Sequence, residues 1–177
     1  MDPRRRQRLL VLAIACVASA ACSQPDAGGL DVCGLLASSD ASAVLAGRAS
    51  AGHPEHLGSQ PFEVDRCRWS VGDRALALLA SRSPDGDSAA ARSAFEDVRA
   101  AARKGGTEVV DVPGLGDAAW WESDRLANQL HVLAGATSLT FTTRGPTSAS
   151  PPRELLAAAR GAIDRVVAAR SPRTARE

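Results

Sequence analysis

The N-terminus of this chain dictates where the rest of it folds. Arg4, Arg5, Arg6 and Arg8 form a positive cluster, and an apolar run follows from Leu9 to Ala20, interrupted only by Ser19. The run is twelve residues long, whereas a bilayer-crossing helix needs about twenty. It therefore reads as the apolar region of an export signal, not as an anchor, with the arginines holding the leading end in the cytoplasm. The chain that follows is expected to fold outside the cytoplasm, where disulfides are permitted.

The run closes on Ala18-Ser19-Ala20-Ala21-Cys22. This stretch resembles the lipobox of bacterial lipoproteins: small residues leading directly into a cysteine, with Ser19 where that pattern usually has leucine. The resemblance implies a signal peptide over residues 1–21, a diacylglycerol on the Cys22 sulfur, further acylation (palmitate, for example) and cleavage before Cys22. The product would sit in the cell envelope, lipid-anchored on the outer, non-cytoplasmic side of a membrane. Ser23, in place of aspartate, fits outer-membrane sorting in a host that has two membranes. The alternative is a plain signal peptide cut after Ala20 or Ala21, which leaves Cys22 as a free thiol. Buried acyl methylenes contribute about 0.8 kcal/mol each, so two or three chains hold a domain firmly.

From Cys22 onward the chain has 156 residues, enough for one domain with a real core. Residues 22–29 form a short polar tether, 30–170 a single globular domain, and 171–177 a polar tail expected to be disordered. The whole chain has a formal charge of +1, but the leader removes four arginines and one aspartate, leaving 17 basic and 19 acidic side chains. That balance argues against nucleic acid as a partner. One lysine, Lys104, stands against twenty arginines, which reads as the codon bias of a GC-rich genome. Of the four cysteines, Cys16 leaves with the leader and Cys22 is assigned to lipid, so Cys33 and Cys67 remain. A bridge between them is the expectation in an oxidising compartment. A reactive thiol pair is the alternative, although such pairs usually sit as Cys-x-x-Cys.

Val32 to Ala46 reads as helical, with a break at Ser38-Ser39-Asp40 and a helix from about Asp40 that Gly47 ends. Arg48 to Pro61 reads as a loop. Cys67, Trp69 and Val71 alternate with Arg66, Arg68 and Ser70, the period of a half-buried strand. Gly72-Asp73 makes a turn into a second strand, Ala75–Ser81, apolar almost throughout and so central. In Ala89–Lys104 the positions Ala91, Phe95, Val98 and Ala102 step by four, three and four, the stripe of an amphipathic helix. Short strands follow at 107–112 and 118–122, separated by the turn Pro113–Asp117. A hairpin pairs 126–133 with 138–144. After Pro152, the residues Leu155, Leu156, Ala159, Ile163, Val166 and Val167 mark a last amphipathic helix. The order is α-β-β-α-β-β-β-β-α, an α+β fold with a largely antiparallel sheet packed against helices.

Cys33-Gly-Leu-Leu entering an alanine-rich helix, then Cys67-Arg-Trp69, then Val112-Pro-Gly-Leu-Gly-Asp-Ala-Ala-Trp120, resembles a broad group of small exported bacterial lipoproteins of unknown function. The resemblance spans roughly Cys33 to Leu139. It implies a Cys33–Cys67 bridge and an α+β domain. It implies no activity and assigns no functional residue.

Chemical motifs are sparse. Gly114-Leu-Gly116-Asp117 precedes a strand rather than a helix and lacks Gly-Lys-Ser/Thr, so it reads as a tight turn with Asp117 capping its own backbone. His53-Pro-Glu-His56 offers two metal ligands where zinc wants three or four, and Glu55 and Glu63 are unforced additions; no metal or other cofactor is expected. His131 alternates with Leu130 and Val132 and reads as a solvent-facing strand histidine without an oriented partner. No Gly-x-Ser-x-Gly elbow exists, and catalytic residues are not expected. Trp120-Trp121 stands out in a chain with 3% aromatic residues and no tyrosine. Neighbouring strand side chains point to opposite faces, so either both are covered by opposite layers, or one is left for binding.

These features predict a non-enzymatic envelope lipoprotein that binds an envelope protein or an amphiphile near Trp120 or Trp121. An accessory subunit presenting a flat apolar patch is the competing reading, and an enzyme with a His–carboxylate cleft a third. The anchor itself is testable. Cys22→Ser is expected to abolish incorporation of labelled palmitate and to move the protein from the membrane to the soluble fraction. Unchanged membrane partition would assign the attachment to something else.

Overall fold

A computed structural model describes residues 30–57 and 64–170. The leader, Cys22, the rest of the tether and the tail from Ser171 lie outside the described residues. The chain forms an α+β domain: seven strands in one sheet, with helices on both faces. A 3-10 turn at Cys33–Leu35 precedes α1 (Ser38–Val44). The strands β1 (His53–Leu57), β2 (Val64–Val71) and β3 (Arg74–Arg82) come next, then α2 (Ser88–Lys104). The strands β4 (Val109–Asp111), β5 (Ala118–Ser123), β6 (Asn128–Ala134) and β7 (Thr137–Thr143) follow, and α3 (Arg153–Arg170) completes the domain. Every neighbouring pair is antiparallel, in the order β1-β2-β3-β7-β6-β5-β4.

Two expectations need correction here. The stretch expected to be one loop contains β1, so the order gains a strand. His53–Leu57 pairs with 64–68 of β2 at the sheet edge, and an edge is where a strand tolerates Pro54, which has no N–H to give to a ladder. The stop of α1 also shifts. Ala46, not Gly47, takes the left-handed conformation, at φ 47°. Gly47 is needed for space, since a Cβ there would meet Val71 Cγ1 at 2.8 Å.

The period of two in the strands sorts the side chains onto two faces. On one face Cys67, Trp69, Leu76, Leu78, Trp121, Leu130, Val132, Leu139 and Phe141 are buried beneath α1 and α3. The stripe of α3 is rotated from the expected one: Leu155, Ala158, Ala159, Ala162 and Val166 are buried, while Val167 is exposed. Arg165 ties α3 to the N-terminal segment by donating to the Leu35 carbonyl at 2.8 Å. Cys33 and Cys67 are bridged, with Cα atoms 5.1 Å apart. This joins the 3-10 turn to β2 and closes a separation of 34 residues. Such a cross-link stabilises by roughly 3–4 kcal/mol on the chain-entropy model.

On the other face α2 covers only part of the sheet. Ala91 and Phe95 are buried against Trp120 and Leu133. Asp87 caps α2 by accepting from the N–H groups of Ala89 and Ala90, which satisfies donors left open at a helix start. The β4–β5 turn fixes the strands under α2. Leu115 inserts into the core, 2% exposed. The Asp117 carboxylate accepts from the Gly135 N–H across the sheet rather than from its own turn, and Asp117 N–H donates to the Leu133 carbonyl at 2.8 Å.

Gly116 is what lets this turn close. Its φ is 61°, and a Cβ there would meet the Leu133 carbonyl oxygen at 2.4 Å. Gly114, at φ 73°, has open space around it. Gly116→Ala is expected to cost well above the ~1–2 kcal/mol of a left-handed alanine, because backbone must also shift. Gly114→Ala should cost only that conformational amount. Denaturant melts of the two variants side by side check the ordering.

Candidate functional site

The two tryptophans that the sequence marks as binding candidates are not surface groups. Trp120 and Trp121 are each 1% exposed, on opposite faces of β5. Trp121 donates its indole N–H to the Ser148 carbonyl at 2.8 Å. Ser123 and Asn128 hold the same segment, accepting from the Ser148 N–H at 2.9 Å and donating to the Pro146 carbonyl at 3.2 Å. Trp120 packs edge-on against Phe95, ring centres 6.2 Å apart, and its indole N–H has no partner among the described residues. Both indoles belong almost wholly to the core, and only Trp121 reaches the lining of a small recess of about 200 Å³ with Val110, Ser123 and Ser148.

His131 departs further from expectation. It does lie on the face opposite Leu130 and Val132, but that face is covered by α2 rather than by solvent, and the residue is buried. The imidazole stacks on Trp120 with centroids 3.7 Å apart and planes 12° off parallel. It also has oriented partners that the sequence did not suggest. Nε2 lies 3.3 Å from Glu122 Oε1, and Nδ1 lies 3.2 Å from Thr140 Oγ1. Strand register supplies both: Glu122 is on the strand to one side of β6 and Thr140 directly across on the other. An ionised carboxylate only accepts, so Nε2 carries the proton and Nδ1 accepts from the Thr140 hydroxyl. Burial pushes the imidazole down from 6.5 to about 4. Burial, with help from the Asp124 charge, pushes the Glu122 carboxyl up. At neutral pH the ring is uncharged and fully hydrogen-bonded.

Beside this pair α2 stands off the sheet and leaves a groove of about 480 Å³, within the range of small-molecule sites. The helix wall is Ala91, Ala94, Phe95 and Val98. The sheet wall is Leu79, Ser138, Thr140 and His131. Val98, expected in the core from its helical stripe, is 52% exposed because it stands at this opening. The groove has an apolar wall, a floor of hydroxyls and one neutral imidazole, and no charged lining residue.

The other sites expected or dismissed from sequence fall elsewhere. His53 and His56 sit on the edge strand, pointing to opposite faces, with His56 paired to Asp65 at 2.9 Å. Among the described residues no three His, Cys, Asp or Glu side chains gather as a metal would need. No described helix is long and apolar enough to cross a membrane. No protein-family model, curated protein or solved structure matches the chain.

The depressed His131 has a thermodynamic signature. An unfolded chain binds a proton at 6.5, a folded one only near 4. Stability from this residue is therefore complete above pH 6.5 and is lost as the pH falls towards 4. The full swing is on the order of 3 kcal/mol. His131→Phe keeps a ring on Trp120 and removes the titration, so its stability is expected to fall less across that window. Urea melts at a series of pH values would show parallel profiles if the imidazole were not the group responsible.

Proposed function

We propose that the protein is a membrane-anchored envelope lipoprotein that holds a single-chain amphiphile in the groove between α2 and the sheet, without chemical conversion. The carrying observation is the groove itself: an apolar helix wall over a hydroxyl-bearing floor, open at Val98. Its shape favours a ligand cavity over the flat patch of an accessory subunit. The lipobox-like segment ending at Cys22 and the likeness to small exported lipoproteins support the membrane address. In this reading the partners are the membrane, through lipid on Cys22, and an amphiphile drawn from the envelope; no cofactor takes part. Trp120 contributes as the rigid backing of Phe95 and His131, not as a contact.

One observation favours a second reading, hydrolysis. Thr140, His131 and Glu122 line up as hydroxyl, imidazole and carboxylate, the arrangement of a nucleophile, a base and an orienting acid. Basicity weighs against it. A ring with a pKa of about 4 is poorly matched to proton abstraction at neutral pH.

Ala94 is exposed and lines the groove, so enlarging it blocks the space without entering the core. Ala94→Phe is expected to abolish binding of the neutral fluorophore N-phenyl-1-naphthylamine, while changing stability by no more than about 0.5 kcal/mol. Equal fluorophore binding by the variant and the parent chain would remove the groove from consideration. Release of fatty acid from an ester probe, lost in Thr140→Val, would favour the hydrolytic reading instead.

A further inference from the structure

Beside the groove, one step along the same strands, lies a second, basic recess. Side chains on one face of a strand repeat every second residue, about 7 Å apart. Leu79 and Thr140 line the groove; one step along the same strands, Ala77 and Thr142 line a recess of about 140 Å³. Arg66, Arg68 and Arg144 surround it. The register sets the two linings side by side on one face of the sheet. Leu79 pairs with Arg66 on one side and Thr140 on the other, and Ala77 pairs with Arg68 and Thr142. No residue of α2 lines this recess, and Arg68 and Arg144 are exposed.

The charges there do not cancel. Arg66 is held by Glu55 across the β1–β2 pair, and that guanidinium, with its neighbours, keeps the Glu55 carboxyl below its ordinary range. Arg68 and Arg144 have no ion-pair or hydrogen-bond partner among the described residues. Arg68 feels the Glu55 charge only at a distance, since that carboxylate is engaged by Arg66, so two guanidinium groups without a contact partner flank a small polar recess beside the apolar groove. A phosphomonoester carries about −1.5 to −2 at neutral pH, which matches that pair, and guanidinium binds phosphate oxygens in a planar, two-pronged geometry.

We infer that the ligand is a monoacyl lipid ending in a phosphomonoester, its chain lying in the groove between α2 and the sheet and its phosphate held by Arg68 and Arg144. The inference rests on the groove reading and adds the head group to it. Chain burial supplies affinity and the arginine pair supplies selection, because a neutral lipid of equal length fills the groove but leaves the two charges unmet.

The test compares monolauroylglycerol with lauroyl lysophosphatidate, which share an acyl chain and differ by one phosphate. Each displaces N-phenyl-1-naphthylamine from the full exported chain carrying Cys22→Ser, so that no attached lipid competes. The phosphate lipid is expected to bind roughly tenfold tighter or better, with the preference shrinking as salt screens exposed charge. Arg68→Ser combined with Arg144→Ser should bring the two affinities together, with circular dichroism and melting temperature confirming an intact fold. Equal binding of both lipids by the parent chain overturns the phosphate assignment and leaves the groove reading standing. A preference that survives the double substitution overturns the arginine assignment. Failure of both lipids and the fluorophore to bind overturns the groove reading and this inference with it.

Discussion

A β-strand cannot place neighbouring side chains on one face, and Trp120-Trp121 turns that rule into a demand for two covering layers. Two indoles, each burying on the order of 200 Å², leave β5 no stable position at the surface of a one-sided sheet. The helix pair α1 and α3 covers Trp121 and its row, and α2 covers Trp120 and its row. The rest of the architecture follows from how unequal those two covers are. The first extends from β2 to β5, but the second is a single helix resting on Phe95 and Ala91. Beside the exposed Val98 the space between α2 and the sheet is left unfilled, and that space is the groove.

The polar groups under α2 are consistent with a site that receives rather than reacts. A buried imidazole without partners would be costly. His131 avoids that cost by staying neutral and by meeting both a carboxylate and a hydroxyl. The same bonds fix the ring flat on Trp120, so the groove floor is rigid before any ligand arrives. Rigid walls reduce the ordering that binding would otherwise require. The arginines proposed to select a head group stand outside the groove, around a recess that no residue of α2 lines.

Much of this fold was legible where a local rule was also the global one. The alternation of Cys67, Trp69 and Val71, the hairpins at Gly72 and Gly135, and the glycine pair after α2 all correspond to elements of the structure. The pairing of Cys33 with Cys67 was reachable by elimination once Cys16 was expected to leave with a leader and Cys22 to carry lipid, and the bridge is present. What escaped the sequence depended on tertiary cover. Pro54 disguises an edge strand, since only the sheet reveals that β1 has a free side. His131 could be assigned to its face but not to burial, because nothing local says that a helix from elsewhere in the chain lies over it. Val98 fits a core stripe, and only the assembled helix and sheet show that it stands exposed at the groove. The arginine pair was invisible for a plainer reason: in a chain with twenty arginines, two that lack carboxylates cannot be picked out before the strands are in register.

The bridge between Cys33 and Cys67 has a mechanical meaning as well. The described domain begins at Leu30, so a pull on the preceding chain reaches a covalent junction within three residues. From there it enters β2, which is hydrogen-bonded along its length to β1 on one side and β3 on the other. Tension is shared across a ladder of backbone bonds instead of unwinding the short 3-10 turn and α1 one bond at a time. Cys67 also lies between Arg66 and Arg68 in the sequence, so the strand that takes the load also carries two of the arginines of the basic recess. Tension arriving from the preceding chain would therefore be felt first in the strand that carries those two arginines.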